Sequence, residues 1–180
     1  MNIIGAIVYL ITTIGLGYDS YWFRNARCIV SPKNFGGVEL GMFFMVGGND
    51  KSVCEHEYGH SIQNLWWGPL FPFVIAIPSA YRYWMRNYKS YQNKEIFALL
   101  VGIITGFILV CLFSISLIFM ILPLIIISVL AIIYLAILEV WMLKIEIPKY
   151  TAYVKYDDIW FEGQATALGA AANQNRWNWL

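Results

Sequence analysis

Residues 96–138 read IFALLVGIITGFILVCLFSISLIFMILPLIIISVLAIIYLAIL, and no charged side chain interrupts this apolar run. As a single helix the run would extend about 64 Å, at about 1.5 Å per residue. The hydrocarbon core of a bilayer is only about 30 Å thick, so the run is long enough to cross it twice. Ser114, Ser116 and Pro123 mark positions where the chain can turn. We therefore predict a transmembrane helical hairpin over residues 96–143.

The composition of the whole chain agrees with a membrane protein. Of its 180 residues 59% are hydrophobic and 17% are aromatic, and the mean hydropathy is +0.60. These values exceed ordinary soluble usage. The formal net charge is +1, and the Lys and Arg residues are scattered rather than set in one stripe. The chain therefore lacks the basic surface expected of a nucleic-acid-binding protein. We predict a lipid bilayer as a partner and no nucleic acid.

The segments on either side of the hairpin are predicted to complete one membrane-embedded domain, 1–180. Residues 1–18 are predicted as an N-terminal apolar helix that either spans the membrane or lies at its interface, because the apolar stretch is slightly short for a span. Residues 35–95 are predicted to contain a chemical motif and an interfacial segment. Residues 150–172 are predicted as a C-terminal helix. The expected fold class is a mainly α-helical integral membrane protein.

Two parts of region 35–95 are not expected to be regular spanning helices. Phe35–Gly48 alternates glycine with apolar residues, a pattern typical of a short β segment with turns. Leu65–Ala80 is apolar but contains Pro69, Pro72 and Pro78, which disfavour a regular helix across the membrane. We predict that this second stretch is re-entrant or lies at the membrane interface.

Basic residues near the apolar segments predict the orientation of the protein in a cell membrane. Arg24, Arg27 and Lys33 follow the first apolar segment. The hairpin is preceded by Arg82, Arg86, Lys89 and Lys94 and followed by Lys144, Lys149 and Lys155. The hairpin turn has no basic residue. Basic flanks are usually cytoplasmic, so we predict a multi-pass protein with its motif on or near the cytoplasmic side. Cys28, Cys54 and Cys111, predicted to be reduced thiols, agree with that side.

The segment CEHEYGH at residues 54–60 contains an HExxH motif. A helix is predicted from Val53 to Trp66, since Asp50 and Ser52 suit its start and Gly68 its end. On that helix two histidines four residues apart lie on one face and can bind one zinc ion. Glu57 lies about 100° from His56 around the helix, where it can act as general base on water. Cys54 points away from the histidine face and is not expected to be a ligand.

A hydrolytic zinc site generally has three protein ligands, so a third must come from elsewhere in the chain. The motif contains the only two histidines, and a carboxylate is therefore required. The candidates are Glu139, Glu146, Asp157, Asp158 and Glu162. We predict Glu162, because it lies among apolar residues of the predicted C-terminal helix and a buried carboxylate favours a cation. Asp158, four residues earlier, is the second choice, as a ligand or as a residue that orients a histidine.

Three stretches of sequence form a wider pattern: HEYGHSIQ at 56–63, Gly68-Pro69-Leu70 with IAIPS at 75–79, and FEGQA at 161–165 before Leu168-Gly169. In this pattern the chain resembles bacterial HEYGH-type integral membrane proteins that are similar to gluzincin zinc metallopeptidases. The resemblance covers residues 36–79 and 150–169, and Gly163 and Gln164 depart from the family pattern. It implies a zincin-like HExxH helix with zinc ligands His56, His60 and Glu162, the third from the C-terminal helix, and Glu57 as the catalytic residue.

The sequence therefore predicts a zinc metallopeptidase that hydrolyses membrane-associated peptides or proteins. The alternative is a catalytically inactive scaffold or immunity-like membrane protein that zinc stabilises. Gly102 and Gly106 form a GxxxG pair that packs either the hairpin or a homodimer. The predicted partners are accordingly a peptide or protein substrate, the bilayer and a second copy of the chain.

Overall fold

The computed structural model describes residues 1–33, 35–48, 50–87, 94–149 and 158–173. The chain divides into two compact units, one formed by Met1–Ile77 with Lys155–Leu180 and the other by Pro78–Val154. The sequence predicted one membrane-embedded domain and did not predict this division into two units. The single membrane-embedded domain stays a prediction. The first part of the predicted C-terminal helix 150–172, residues 150–157 with Asp157, lies outside the described residues.

Helices make up most of the described chain. In chain order they are α1 (Asn2–Tyr9), α2 (Lys51–Trp67), α3 (Ile77–Asn87), α4 (Lys94–Ile118), α5 (Leu122–Trp141), α6 (Ile147–Lys149) and α7 (Trp160–Asn173). Wider π-helical turns extend three of them, at Leu10–Gly15 after α1, Pro72–Ala76 before α3 and Met142–Glu146 after α5. A 3-10 turn, Gly68–Leu70, follows α2. The predicted N-terminal helix is thus present as residues 2–15.

The first unit contains a small four-stranded sheet. Its strands are β1 (Asp19–Phe23), β2 (Ala26–Ser31), β3 (Gly37–Glu39) and β4 (Phe43–Gly47), in the order β1-β2-β4-β3. β2 and β4 are parallel, whereas β1 pairs with β2 and β3 with β4 in antiparallel fashion. β3 therefore lies at an edge of the sheet, where one side of its backbone has no neighbouring strand.

The sheet corrects the prediction of a single short β segment at Phe35–Gly48. That stretch forms two strands, because the chain reverses at Gly41, whose φ of 91° suits glycine. The hairpin of β1 and β2 was not predicted. Its turn, Arg24-Asn25, has Arg24 at a φ of 54°, a conformation that glycine or asparagine usually adopts, so the residue at that position does not signal the turn.

α2 agrees with the prediction for the motif helix to within two residues at each end. The Asp50 side chain accepts a hydrogen bond from the Ser52 backbone N–H at 2.8 Å, which caps the first turn. At the other end Gly68, with a φ of 52°, takes the chain out of the helix. α2 packs against the sheet and α7, and buried side chains from all three form the core of the unit: Cys28, Phe44, Val46, Cys54, Tyr58, Ile62, Leu168 and Ala172.

The second unit contains α3 to α6, and its longest part is the hairpin of α4 and α5. Two helices, Lys94–Ile118 and Leu122–Lys149, are long and apolar enough to cross a membrane. Their side chains are mostly exposed on the protein, as expected for helices surrounded by lipid. The turn lies at residues 119–121, between the predicted turn markers, and Met120 has a φ of 53°.

The glycines of the GxxxG pair face the hairpin itself. A methyl group added at Gly102 would lie 2.9 Å from Cδ of Glu139, and one at Gly106 would lie 3.8 Å from a methyl carbon of Leu135. Gly102 therefore lets α4 and α5 approach closely, which is one of the two roles that the sequence allowed. The homodimer stays a prediction.

Candidate metal centre

The two motif histidines and Glu162 meet between α2 and α7. Nε2 of His56 and Nε2 of His60 each lie 3.2 Å from Oε2 of Glu162. Among the described residues, these three form the group whose side chains can jointly bind one metal ion. His60 and Glu162 are buried, and His56 is half-buried. Residues about a hundred positions apart in sequence thus converge on one point.

Two of the three separations between ligand atoms match those around a tetrahedral ion. Bonds of about 2.0–2.1 Å to a tetrahedral zinc ion place any two ligand atoms about 3.3 Å apart. The two nitrogen-to-oxygen separations of 3.2 Å are close to this value. All three ligand atoms lie within 4.8 Å of one another.

Hydrogen bonds at the outer ring nitrogens fix both imidazoles. Nδ1 of His60 lies 2.7 Å from Oε1 of Gln63, whose Nε2 donates to the Phe161 carbonyl at 2.8 Å. Because that carbonyl only accepts, the Gln63 oxygen faces His60 and Nδ1 of His60 must donate. Loss of the Nε2 proton then leaves that nitrogen free toward Glu162, which is the form that binds metal. Nδ1 of His56 bonds Oγ1 of Thr166 at 2.8 Å.

The electrostatic environment of the site favours a cation. Burial lowers the pKa of His60, but Glu162, Glu57 and Gln63 raise it more, and the resulting pKa is about 9. Surroundings that raise the pKa of a histidine attract positive charge, which a metal ion also carries. Glu162 is fully buried, and its Oε2 contacts both histidines of α2. A metal ion would compensate the charge of this carboxylate.

Glycines allow α2 and α7 to approach closely enough to build the site. A Cβ atom at Gly59 would collide with the Ala165 carbonyl, and one at Gly169 would collide with the Glu55 carbonyl. Each helix therefore presents a glycine to the backbone of the other. This contact explains why the residue before His60 has no side chain, and it brings Glu162 within reach of both histidines.

Glu57 lies on a different side of α2, under the sheet. It is 6% exposed, and a Cβ atom at Gly37 of β3 would collide with its side chain. Burial raises the pKa of the Glu57 carboxyl, while the nearby His60 and His56 oppose the increase. The structure thus places Glu57 beside the histidines but outside the group of three ligand atoms.

Glu39 is a second buried carboxylate near the motif, and no pattern in the sequence predicted its position there. It ends β3 and is 6% exposed. Its Oε1 accepts hydrogen bonds from Nδ2 of Asn64, at 2.8 Å, and from the Gly41 backbone N–H. Burial raises the pKa of Glu39 to about 8, although hydrogen bonds from Asn64 and Gly41 lower it.

The other candidate ligands that the structure describes do not join the group, and Asp157 lies outside the described residues. Asp158 is exposed, and Cys54 is buried on another side of α2, where its Sγ lies 3.3 Å from the Tyr21 hydroxyl. Glu139 and Glu146 belong to the second unit. There the Tyr81 hydroxyl donates to Glu139 at 2.9 Å, and Arg82 donates to Glu146 at 2.6 Å within a buried ion pair.

A cavity of about 740 Å³ lies in the first unit along the C-terminal half of α2. Its polar lining includes Asn2, Gly41, Ser61 and Asn64, and its apolar lining includes Ile4 and Leu65. Ser61 and Asn64 follow Glu57 by four and seven residues, so they share its face of the helix.

The chain was compared with protein-family models, with curated proteins and with solved structures, and no match was found. The resemblance to gluzincin metallopeptidases stays a prediction from the sequence pattern.

Proposed function

We propose that the protein is a zinc-dependent membrane metallopeptidase that hydrolyses membrane-associated peptides or proteins. The observation that carries the proposal is the convergence of His56, His60 and Glu162. Nε2 of each histidine lies 3.2 Å from Oε2 of Glu162. Glu57, the residue after the first histidine, is buried on the same helix, close enough to both histidines for their charges to lower the pKa of its carboxyl against the effect of burial. A ligand-forming pair of histidines with a buried acid nearby is one arrangement that metal-assisted hydrolysis uses.

The ligand types favour zinc over other common ions. Two imidazole nitrogens and one carboxylate oxygen suit zinc, whereas calcium and magnesium prefer sets of oxygen ligands. Three protein ligands also leave a fourth position open, as in catalytic rather than structural zinc sites. The hydrogen bond from His60 to Gln63 supports this choice, because such outer contacts orient histidine ligands.

The mechanism follows from the positions of the chain's own residues. A bound zinc ion supplies Lewis acidity, which polarises a peptide carbonyl and acidifies water. Glu57 removes a proton from the attacking water as the oxygen adds to the carbonyl carbon. Glu57 then returns that proton to the amine nitrogen as the C–N bond breaks. Gln63 holds His60 in the tautomer that leaves Nε2 available.

The apolar hairpin supports a membrane location and a membrane-associated substrate. Two helices are long and apolar enough to cross a bilayer. Basic residues flank the apolar segments, as is typical of cytoplasmic flanks, and the hairpin turn has none. On this basis the protein is a multi-pass cell-membrane protein with its site on or near the cytoplasmic side.

A second candidate function is a zinc-stabilised scaffold or immunity-like protein without catalysis. The close contact of α2 with α7 at Gly59 and Gly169 favours it, because an ion held by both helices would also join them structurally. This alternative gives Glu57 no chemical role.

Replacement of Glu57 by glutamine distinguishes the two functions. We expect Glu57→Gln to bind zinc like the wild type, because Glu57 is not a ligand, and to lose hydrolysis of peptides presented in detergent or vesicles. Zinc content and peptide cleavage are measured on the same preparations. Hydrolysis that persists in Glu57→Gln would refute the assignment of the base. Zinc binding without hydrolysis in the wild type would support the scaffold.

A further inference from the structure

Large apolar side chains are exposed on the first unit in two places. One is the outer face of α1, and the other is the end of α2 with the turns that follow it. Both places border the cavity along α2, and so they meet there. Together they form one apolar surface, which we call the insertion surface: Ile3, Ile4, Ile7, Leu65, Leu70 and Phe73. Soluble proteins rarely expose contiguous apolar surface of this kind.

The inner face of α1 packs against the sheet. A Cβ atom at Gly5 would collide with the Leu40 carbonyl, and the ring centroids of Tyr9 and Phe43 are 5.5 Å apart. The helical residues 2–15 extend only about 21 Å, at about 1.5 Å per residue, which is less than the hydrocarbon core of about 30 Å. α1 is therefore part of the first unit and is too short to cross a membrane.

α2 runs from a charged end to an apolar end. Asp50 and Lys51, at its start, are exposed. At its end Trp66 is exposed, and the rings of Trp67 and Trp160 lie 6.0 Å apart. Tryptophan favours the boundary between water and hydrocarbon. The three tryptophans therefore lie where that boundary is expected if the turns after α2 enter a membrane.

Contacts within the second unit show how α3 lies along the hairpin. Lys94, at the start of α4, donates to the Met85 carbonyl near the end of α3. The Tyr81 hydroxyl donates to Glu139 at 2.9 Å, and Glu139 packs against Gly102. Gly102 follows Lys94 by eight residues, which is about 12 Å along α4. The start of α3 therefore points along α4, away from the charged start of that helix.

The chain passes from the first unit to the second at the start of α3. Ile77 is the last residue of the first unit, and Pro78 is the first residue of the second. Where the hairpin crosses a bilayer, the charged start of α4 marks the edge of the hydrocarbon. Pro78 precedes Tyr81 on α3 and so lies roughly 10 Å or more inside that edge. The turns that lead to Ile77, including exposed Phe73, therefore lie in hydrocarbon as well.

We propose that the first unit binds lipid hydrocarbon through the insertion surface and is embedded in one leaflet of the bilayer. α1 lies within that leaflet instead of crossing the membrane, and the cavity opens toward the acyl chains. The metal centre lies toward water, since His60 precedes Trp67 by seven residues, about 10 Å along α2. The inference rests on the membrane location in the proposed function and does not depend on the peptidase chemistry.

The test uses full-length protein in liposomes, with a nitroxide spin label on one introduced cysteine at a time. Cys111→Ser removes the exposed native thiol. Labels at Ile7→Cys and Leu70→Cys probe the insertion surface, and exposed Ile103→Cys probes the hairpin. Ser52→Cys, at the exposed start of α2, is the matched control. Electron paramagnetic resonance compares collisions of each label with oxygen, which concentrates in lipid, and with a nickel chelate, which stays in water.

The two reagents should separate the labels into two groups. We expect the labels at Ile7 and Leu70 to collide more with oxygen than with the nickel chelate, as at Ile103, and the ratio to reverse at Ser52. Equal thermal unfolding of the variants verifies that each is folded.

Each other result would contradict the inference in a recognisable way. Nickel access at Ile7 or Leu70, with Ile103 protected, would overturn the insertion surface while leaving the hairpin in the membrane. Protection from both reagents, with dipolar broadening between labels, would show that a second copy of the chain covers the surface instead of lipid. Nickel access at Ile103 would reject the membrane location itself, on which the inference rests.

Discussion

The two nitrogens of each motif histidine have different partners. Nε2 faces Glu162 in both rings, whereas Nδ1 of His60 bonds buried Gln63 and Nδ1 of His56 bonds Thr166 on the surface. These outer contacts fix the rings before an ion binds. A rigid pair of rings loses little conformational entropy when it coordinates metal.

Gln63 and Thr166 are expected to differ in their effect on metal affinity. We predict that Gln63→Leu weakens zinc binding by about 10–100-fold, because His60 then loses the partner that orients its ring. Thr166→Val should have a smaller effect, since water can replace an exposed hydroxyl. Competition with a chelator measures both affinities. Equal affinity of Gln63→Leu and the wild type would show that the ring needs no such support.

The site residues that sequence could predict are those whose relation is local. His56, Glu57 and His60 lie on one helix, so their directions follow from helical geometry. Glu162 was inferred from its acid character among apolar neighbours, and the structure brings it to both histidines. Glu39 could not be predicted, because its proximity depends on the register of β3 against α2, which no spacing in the sequence reports.

At the scale of elements, the contact of α2 with α7 determines whether the site exists. Gly59 and Gly169 each meet the backbone of the opposite helix, so the axes approach more closely than ordinary side chains allow. A side chain at either position would displace α7 and carry Glu162 away from the histidines. Helix packing and metal binding are thus coupled in this unit.

The effect of a single methyl group tests this coupling. We predict that Gly59→Ala lowers the free energy of unfolding by about 1–3 kcal/mol and weakens metal binding, because the added Cβ overlaps the Ala165 carbonyl. Gly15→Ala is the control, since a Cβ there meets no atom within 4 Å. Thermal unfolding monitored by tryptophan fluorescence compares the two. A Gly59→Ala protein as stable as the control, with unchanged affinity, would contradict the packing argument.

The long elements were predictable from sequence, whereas the sheet was not. The apolar run gave the hairpin, and capping residues gave the start and end of α2 to within two residues. The hairpin of β1 and β2 was missed, because Arg24 occupies a positive-φ turn position where glycine or asparagine is the usual residue. β2 and β4 pair in parallel although β3 lies between them in the chain, and local sequence patterns cannot specify such a pairing.

At the scale of the whole molecule, α4 and α5 expose an apolar surface that a bilayer would cover. Most of their large hydrophobic side chains are exposed on the protein, including Ile103, Phe107 and Ile133. A surface of this kind is stable in hydrocarbon and unfavourable in water. Cys111 lies on α4 and is also exposed, so its reactivity reports what surrounds that helix.

Thiol labelling checks the membrane placement. We predict that a membrane-impermeant maleimide leaves Cys111 unmodified in sealed vesicles, although the side chain is exposed on the protein, because lipid covers it. A cysteine introduced by Met120→Cys at the hairpin turn should react in intact cells, because the proposed orientation places the turn outside the cell. Cys28 and Cys54 are buried and should react only after denaturation. Rapid labelling of Cys111 in vesicles would place this part of α4 in water.

The most direct test of the account is the zinc content per chain in detergent-purified protein, determined by elemental analysis. We predict about one zinc in the wild type and in Asp158→Ala, and its loss in His60→Ala and in Glu162→Ala. Loss in Asp158→Ala but not in Glu162→Ala would assign the third ligand to Asp158. A folded wild-type protein that contains no zinc, although the metal is supplied, would contradict the central claim.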